Sequence, residues 1–283
     1  MLYSLPLLAL AFLISGSLYF YLRKGSFSTI NTFSRQSKSF IWLSPIKKIL
    51  SYSFISILLL TSLLIPLFML VAESGFNFLP AIKSAQGSIL NSLLVVGISV
   101  PIITLLGFLS YYVYKKSNFL AALIAFPLVI PSAVIGISLI NLYSTLSVGI
   151  YGSVWMIVLG YILRFLPFSL FIFSAFGPQV SESMEESARM CKSGFMKTFY
   201  RIILPLTRNG FLASIFIISI FCIGETGMTQ MVAPSGFQAL SNRIDTLMHY
   251  GNYSYVASLS IFLLLFIFLL YGLYLVMYRH GRH

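Results

Sequence analysis

Long apolar blocks separated by short polar stretches make up almost the whole chain. The blocks run at about Leu2–Leu22, Tyr52–Val71, Ile89–Tyr114, Phe119–Leu142, Val154–Ala175, Gly210–Met231 and Tyr255–Tyr278. A helix needs roughly 20 apolar residues to cross a bilayer core about 30 Å thick, and each block comes close to or passes that length. None shows the strict alternation over roughly 10 residues that marks a strand of a membrane barrel. The pattern therefore predicts an all-α protein, a polytopic transmembrane helical bundle of about seven spans.

Composition agrees with that pattern. Of 283 residues 58% are hydrophobic and 8% charged, and the mean hydropathy is +0.94, values that exclude an ordinary soluble domain. A net charge of +12 would suggest nucleic acid on a soluble module, but here the placement of the charge explains it as topology. No Lys or Arg precedes the first block, whereas Arg23 and Lys24 follow it at once, the reverse of a cleavable signal peptide. With Met1 outside, Arg35, Lys38, Lys47, Lys48, Lys115, Lys116, Arg189, Lys192, Lys197, Arg201, Arg208, Arg279 and Arg282 all fall on the cytoplasmic side. Lys83 and Arg243 lie in external loops and Arg164 inside a span. The expectation is a multi-pass protein with its N-terminus outside and its C-terminus in the cytoplasm, its basic loops beside anionic lipid and no nucleic-acid partner. Cys191 and Cys222 are far apart, with no CxxC and no His cluster, so neither a disulfide framework nor a metal site is expected.

The stretch Phe176 to Asn209, between the fifth and sixth blocks, carries the most chemistry. It holds three of the six acidic residues, Glu182, Glu185 and Glu186, then Ala188, Gly194, a basic run through Arg201, and Ile202-Ile203-Leu204-Pro205. Acids first and bases last is the order that a helix dipole favours. The prediction is a helix from about Ser183 to Cys191, a turn near Ser193-Gly194, and a second helix stopped or kinked before Pro205, together a compact knob.

These residues resemble the permease subunits of binding-protein-dependent ATP-binding-cassette (ABC) importers, whose EAA loop reads Glu-Ala-Ala, then a Gly, then Ile-x-Leu-Pro. Glu186-Ser187-Ala188 stands for the first part and Ile202-Ile203-Leu204-Pro205 for the last, with Pro205 19 positions after Glu186, which is the family spacing. Two positions depart: Ser187 replaces an Ala, and Lys192 stands where the family usually has its Gly, with Gly194 two residues on. The resemblance runs from about Tyr52 to the C-terminus. Arg164-Phe165-Leu166-Pro167, Gly224-Glu225-Thr226-Gly227, and Ala233-Pro234-Ser235-Gly236-Phe237 through His249-Tyr250-Gly251 look like the ferric-iron branch, to which thiamine and polyamine permeases are close. Residues 1–50, the first block with its basic linker, look like the junction of permeases that fuse two halves in one chain; residues 51–283 look like the second half.

The resemblance implies a MetI-like permease core with cytoplasmic coupling helices, in a bacterial cytoplasmic (inner) membrane. It implies import of a solute, ferric iron first, driven by a cytosolic ABC ATPase dimer. Glu185, Glu186, Ser187, Ala188, Arg189, Gly194, Leu204 and Pro205 would shape the coupling surface. Further implied partners are an extracytoplasmic solute-binding protein and a second permease subunit, either a distinct half or a copy of this chain. No GxxxxGK[ST] phosphate loop occurs in the sequence, so ATP and Mg are expected at the partner ATPase and no cofactor on this chain, which is read as a transport subunit and not an enzyme.

Arg164 and Glu225 are ionisable residues well inside spans, where charge is costly enough to require a partner or a wet cavity. Counted from the cytoplasmic ends of their spans at about 1.5 Å per residue, they differ by only roughly 5 Å in depth. Two readings stand: an ion pair joining the fifth and sixth spans, or contact with the solute. Pro101, Pro127, Pro131 and Pro167 also lie within spans, where they shape or kink helices. Outside the membrane, Arg243, Asp245 and His249 either touch the binding protein or belong to a re-entrant helix; Asp245 and His249 have the i,i+4 spacing of one helix face, weak grounds for a metal. A secondary transporter or channel working without an ATPase is the rival reading, and it would show inverted repeats, which are not evident. A membrane enzyme would need a clustered nucleophile, base or metal set that the six acidic residues and three histidines do not form.

Overall fold

The computed structural model describes residues 44–114, 118–146, 149–180 and 182–280. The predicted first span and Lys115–Lys116 lie outside those residues. Among the described residues the regular structure is entirely helical. Long helices are α1 (Pro45–Ser74), α3 (Gln86–Tyr114), α6 (Val154–Phe176), α8 (Met196–Gly224) and α11 (Tyr253–His280). Shorter ones are α2 (Phe78–Ser84), α4 (Asn118–Ala125), α5 (Ser132–Thr145), α7 (Glu182–Met190), α9 (Gly227–Val232) and α10 (Leu240–His249).

The centre of the bundle is the trio α3, α6 and α8, which pack against one another along their lengths. Small residues let their backbones approach: a Cβ added at Gly107 of α3 would overlap the Ser169 side chain of α6. In an apolar surround, such close packing and hydroxyl bonds replace the hydrophobic drive that lipid cannot supply. The Ser214 hydroxyl joins all three helices, lying 2.9 Å from Ser169 Oγ and 3.2 Å from Thr104 Oγ1. Ile103, Ile157, Phe165, Ile218 and Met228 fill the middle of the core, and Phe108, Leu170, Phe173 and Ile203 fill its lower end. Helices α1 and α11 lie against each other at the periphery, with outer faces of exposed Leu, Ile, Phe and Val. Apolar side chains left outward on spans of this length face lipid or another membrane subunit.

Two expected crossings are not straight. The predicted span Phe119–Leu142 is a bent pair, its halves meeting at 105°. The cause is Pro131, which pushes the preceding residue out of helical conformation; Ile130 is extended, with φ −84° and ψ 127°. The predicted span Gly210–Met231 also breaks, because α8 ends at Gly224 and Glu225 is extended, with φ −76° and ψ 120°, before the short α9 begins. The two breaks face each other: a Cβ at Gly227 would lie 2.7 Å from Ser132 Oγ, and α9 packs along α5.

Candidate functional site

The candidate side chains fall in three regions: the junction of the broken helices inside the bundle, the helix-turn-helix between α6 and α8, and the helix α10.

At the junction, Arg164 projects from the middle of α6 and Glu225 from the break after α8. Arg164 Nε lies 2.9 Å from Glu225 Oε2. The side chains are 28% and 9% exposed, so the carboxylate is the more deeply enclosed partner. The contact is ionic and not a directed hydrogen bond, since Nε, although enclosed, meets no acceptor at hydrogen-bonding angles. Glu225 has other work. Its Oε1 accepts from the Met228 backbone N–H at 3.0 Å, capping α9, and its backbone oxygen accepts from Ser241 Oγ at 3.0 Å. One residue thus ties α6, α9 and α10 to the end of α8. Leu128, Arg164, Phe165, Phe168, Phe221 and Glu225 line a cavity of about 320 Å³, and the guanidinium carbon stands 5.9 Å from the Phe165 ring centre.

Between α6 and α8, α7 ends in a tight turn. The Ser193 N–H reaches back to the Ala188 carbonyl at 3.0 Å and the Cys191 N–H to the Ser187 carbonyl at 3.1 Å. The six-to-one bond is that of a Schellman motif, whose left-handed position favours glycine. That position is Lys192, with φ +54°, the one non-glycine residue of positive φ among the described residues. The turn expected near Ser193-Gly194 is present, but its left-handed residue is not Gly194, whose φ is ordinary; it is Lys192, where the family pattern carries its Gly. Of the stop or kink expected before Pro205, the stop does not occur, and the irregularity is a π turn. The chain runs helically from Phe195 to Gly224, with a wide π turn at Phe199–Ile203 immediately before Leu204 and Pro205. A π turn beside a proline lets the helix continue past the missing N–H.

On this knob Glu186, Ser187, Gly194 and Pro205 are exposed, Leu204 is half-buried and Ala188 is buried. Ser187 Oγ donates to the Ser183 carbonyl at 2.7 Å, so the departure from Ala is absorbed within its own helix. Glu185 and Arg189 lie on the same helix. At the opposite end of the bundle, α10 folds back onto α3 and α11, with Leu240 buried among Ala81, Ala85 and Leu259. Its Arg243 and Asp245 are half-buried and His249 is exposed. His249 Nδ1 sits 2.8 Å from the Asp245 carbonyl and 3.9 Å from its carboxylate. Among the described residues no three His, Cys, Asp or Glu side chains gather as a metal would require.

Residues 82–282 match the family of binding-protein-dependent transport system inner membrane components. The chain belongs to this permease family. A ferric transport system permease protein of Actinobacillus pleuropneumoniae is 26% identical over 136 residues, covering 46% of this chain but only 20% of that relative's length. A putative 2-aminoethylphosphonate transport system permease protein of Salmonella typhimurium is 24% identical over 205 residues, 68% of this chain and 76% of the relative. A probable molybdenum ABC transporter permease protein of Haloferax volcanii is 28% identical over 159 residues, 54% and 58% of the two chains. A bacterial alginate ABC importer superposes on this permease with a TM-score of 0.62 at 17% identity, over 83% of this chain and 96% of that one. The MetNI methionine ABC transporter does so at 0.58 and 14%, over 71% and 98%. At these identities the superpositions establish a common fold.

Two features of the permease were not picked out from its sequence. Met184, Met190, Met196 and Tyr200 are exposed on the knob, a set of large apolar side chains in an otherwise polar stretch. Their sequence signal is the recurrence of Met among Glu, Ser and Lys. The capping of α9 by Glu225 had no sequence signal, because it exists only if the chain breaks at that residue.

Proposed function

We propose that this permease moves a solute inward by receiving ATP-driven motion from a cytosolic ABC ATPase dimer through the helix-turn-helix Glu182–Thr198. The observation that carries this reading is the exposure of Met184, Met190, Met196 and Tyr200 around the Lys192 turn. Methionine is flexible and polarizable, suited to filling a partner's groove, and an apolar set on a loop clear of lipid is otherwise unfavourable. The continuity of α8 from Met196 to Gly224 supports transmission, since the knob is joined by one continuous helix to the break at Glu225. In this reading the knob and the C-terminus face the cytoplasm, as the distribution of basic residues supports. The α10 segment with Arg243, Asp245 and His249 faces the extracytoplasmic binding protein. ATP and Mg belong to the ATPase. A second permease subunit, distinct or identical, completes the pathway and covers part of the exposed apolar faces of α1 and α11.

Ferric iron is the cargo assigned first, on the strength of the motif resemblance and the ferric permease among the relatives; the phosphonate and molybdenum permeases set the alternatives. The test is uptake of labelled ferric iron, molybdate and 2-aminoethylphosphonate in cells with and without this chain. Loss of iron uptake alone is expected. Unchanged uptake of iron with loss of another solute reassigns the cargo, and uptake that persists after ATP depletion overturns the importer reading.

A further inference from the structure

We propose that the cavity between the two broken helices is a transit subsite in which Arg164 receives an oxygen-borne negative charge on the solute, while Glu225 occupies that place when the solute is absent. The inference rests on the importer reading and adds a place where solute touches the membrane subunit.

The cavity's volume, about 320 Å³, is at the small end of the range typical of sites for small molecules, and its lining has their character, with apolar walls and a few convergent polar groups. Its walls are Leu128, Phe165, Phe168 and Phe221, and its charged groups are Arg164 and Glu225. Irregular backbone at membrane depth is tolerated where it is buried in protein or lines a cavity. Here the interruption at Glu225 borders the cavity and that at Ile130-Pro131 follows Leu128 of its wall closely, so a shift of either half-helix changes the cavity's shape.

The geometry of the pair favours exchange over permanent stapling. Stable Arg–carboxylate clamps frequently use two parallel N–H donors. Arg164 meets Glu225 through Nε at 2.9 Å without a directed hydrogen bond there, and its side chain, 28% exposed, borders the cavity. Its planar fork is suited to carboxylate, phosphonate or tetrahedral oxyanion groups. Glu225 does not become an orphan when Arg164 turns away, because Oε1 keeps the Met228 N–H. Solute binding would then replace the Glu225 carboxylate on Arg164 by the anionic group of the solute, while Glu225 keeps its bond to Met228. The chemistry fits a free oxyanion or phosphonate, or ferric iron enclosed in an anionic oxygen chelate.

The test is equilibrium binding of radiolabelled molybdate, 2-aminoethylphosphonate and doubly labelled ferric citrate to the permease–ATPase complex in nanodiscs, with ATP hydrolysis stimulated by the binding protein measured on the same preparations. Wild type should bind at least one probe saturably. Glu225→Gln, which keeps an acceptor for Met228 but removes the competing charge, should bind it roughly tenfold more tightly, and Arg164→Gln should weaken it by about tenfold or more. Arg164→Lys, which keeps the charge but not the fork, should fall between. Retention of iron together with its citrate assigns the chelate; retention of molybdate or the phosphonate assigns the free oxyanion. Stimulated ATP hydrolysis with no probe bound, or with affinities unmoved by Glu225→Gln and Arg164→Gln, overturns the subsite and leaves the importer standing. A Glu225→Gln complex that melts earlier without binding more tightly makes the pair a staple and also overturns it. Absence of stimulation in wild type removes the importer reading, and the transit role with it.

Discussion

At the junction around Arg164 and Glu225 the backbone departs from helix, and contacts from Arg164 of α6 and Ser241 of α10 hold it there, with a local bond from Met228. At the knob the backbone departs from helix at Lys192, and the chain's own bonds from Cys191 and Ser193 hold it. The first region is deeply packed, so any change of side chain is transmitted to several helices. The second is largely exposed, so it can change its surface without disturbing the fold and is free to meet a partner. The proposed coupling uses both: an interior whose arrangement is determined collectively and a surface whose arrangement would survive docking.

The sharpest way to break this contrast is at Glu225. Glu225→Ala removes the partner of Arg164 and the cap of α9 together and should cost about 3 kcal/mol, read as a lower unfolding temperature in detergent micelles; no shift would mean that the junction is not held by this carboxylate. Next is Gly107→Val, which pushes α3 from Ser169 of α6 and should cost about 2 kcal/mol by overpacking on the same measurement. At the knob the sign reverses. Lys192→Gly relieves a left-handed L-residue and should stabilise the turn by about 1 kcal/mol, visible as slower hydrogen exchange at the Ser193 amide. Smallest in stability is Met190→Glu, expected within about 0.5 kcal/mol of wild type. The same variant should nonetheless lower binding-protein-stimulated ATP hydrolysis; equal hydrolysis would take the exposed methionines out of the docking surface.

The contrast also explains what was legible in the sequence. Spans such as Val154–Ala175 were readable because composition and length decide them without reference to neighbours. The proximity of Arg164 and Glu225 was readable as an option, since two costly charges at similar depth invite pairing. The 105° bend was not, because Pro127 and Pro131 signal a kink but not its size. The turn near Ser193-Gly194 was legible from its composition, but not that its left-handed residue is Lys192, because glycine tolerates that backbone and lysine gives no sign of adopting it. Pro205 suggested a stop or a kink, and the helix instead continues through a π turn at Phe199–Ile203, a register with no simple sequence signature.

The proposed coupling requires Glu182–Thr198 to lie in the cytoplasm beneath an ATPase, and the chain supplies its own probe, since Cys191 on the knob is exposed while Cys222 is buried in the bundle. A membrane-impermeant maleimide should label Cys191 in inside-out vesicles and not in right-side-out ones, and a bound ABC ATPase should protect it. Labelling from the right-side-out face, or labelling undiminished by the ATPase, would contradict the account.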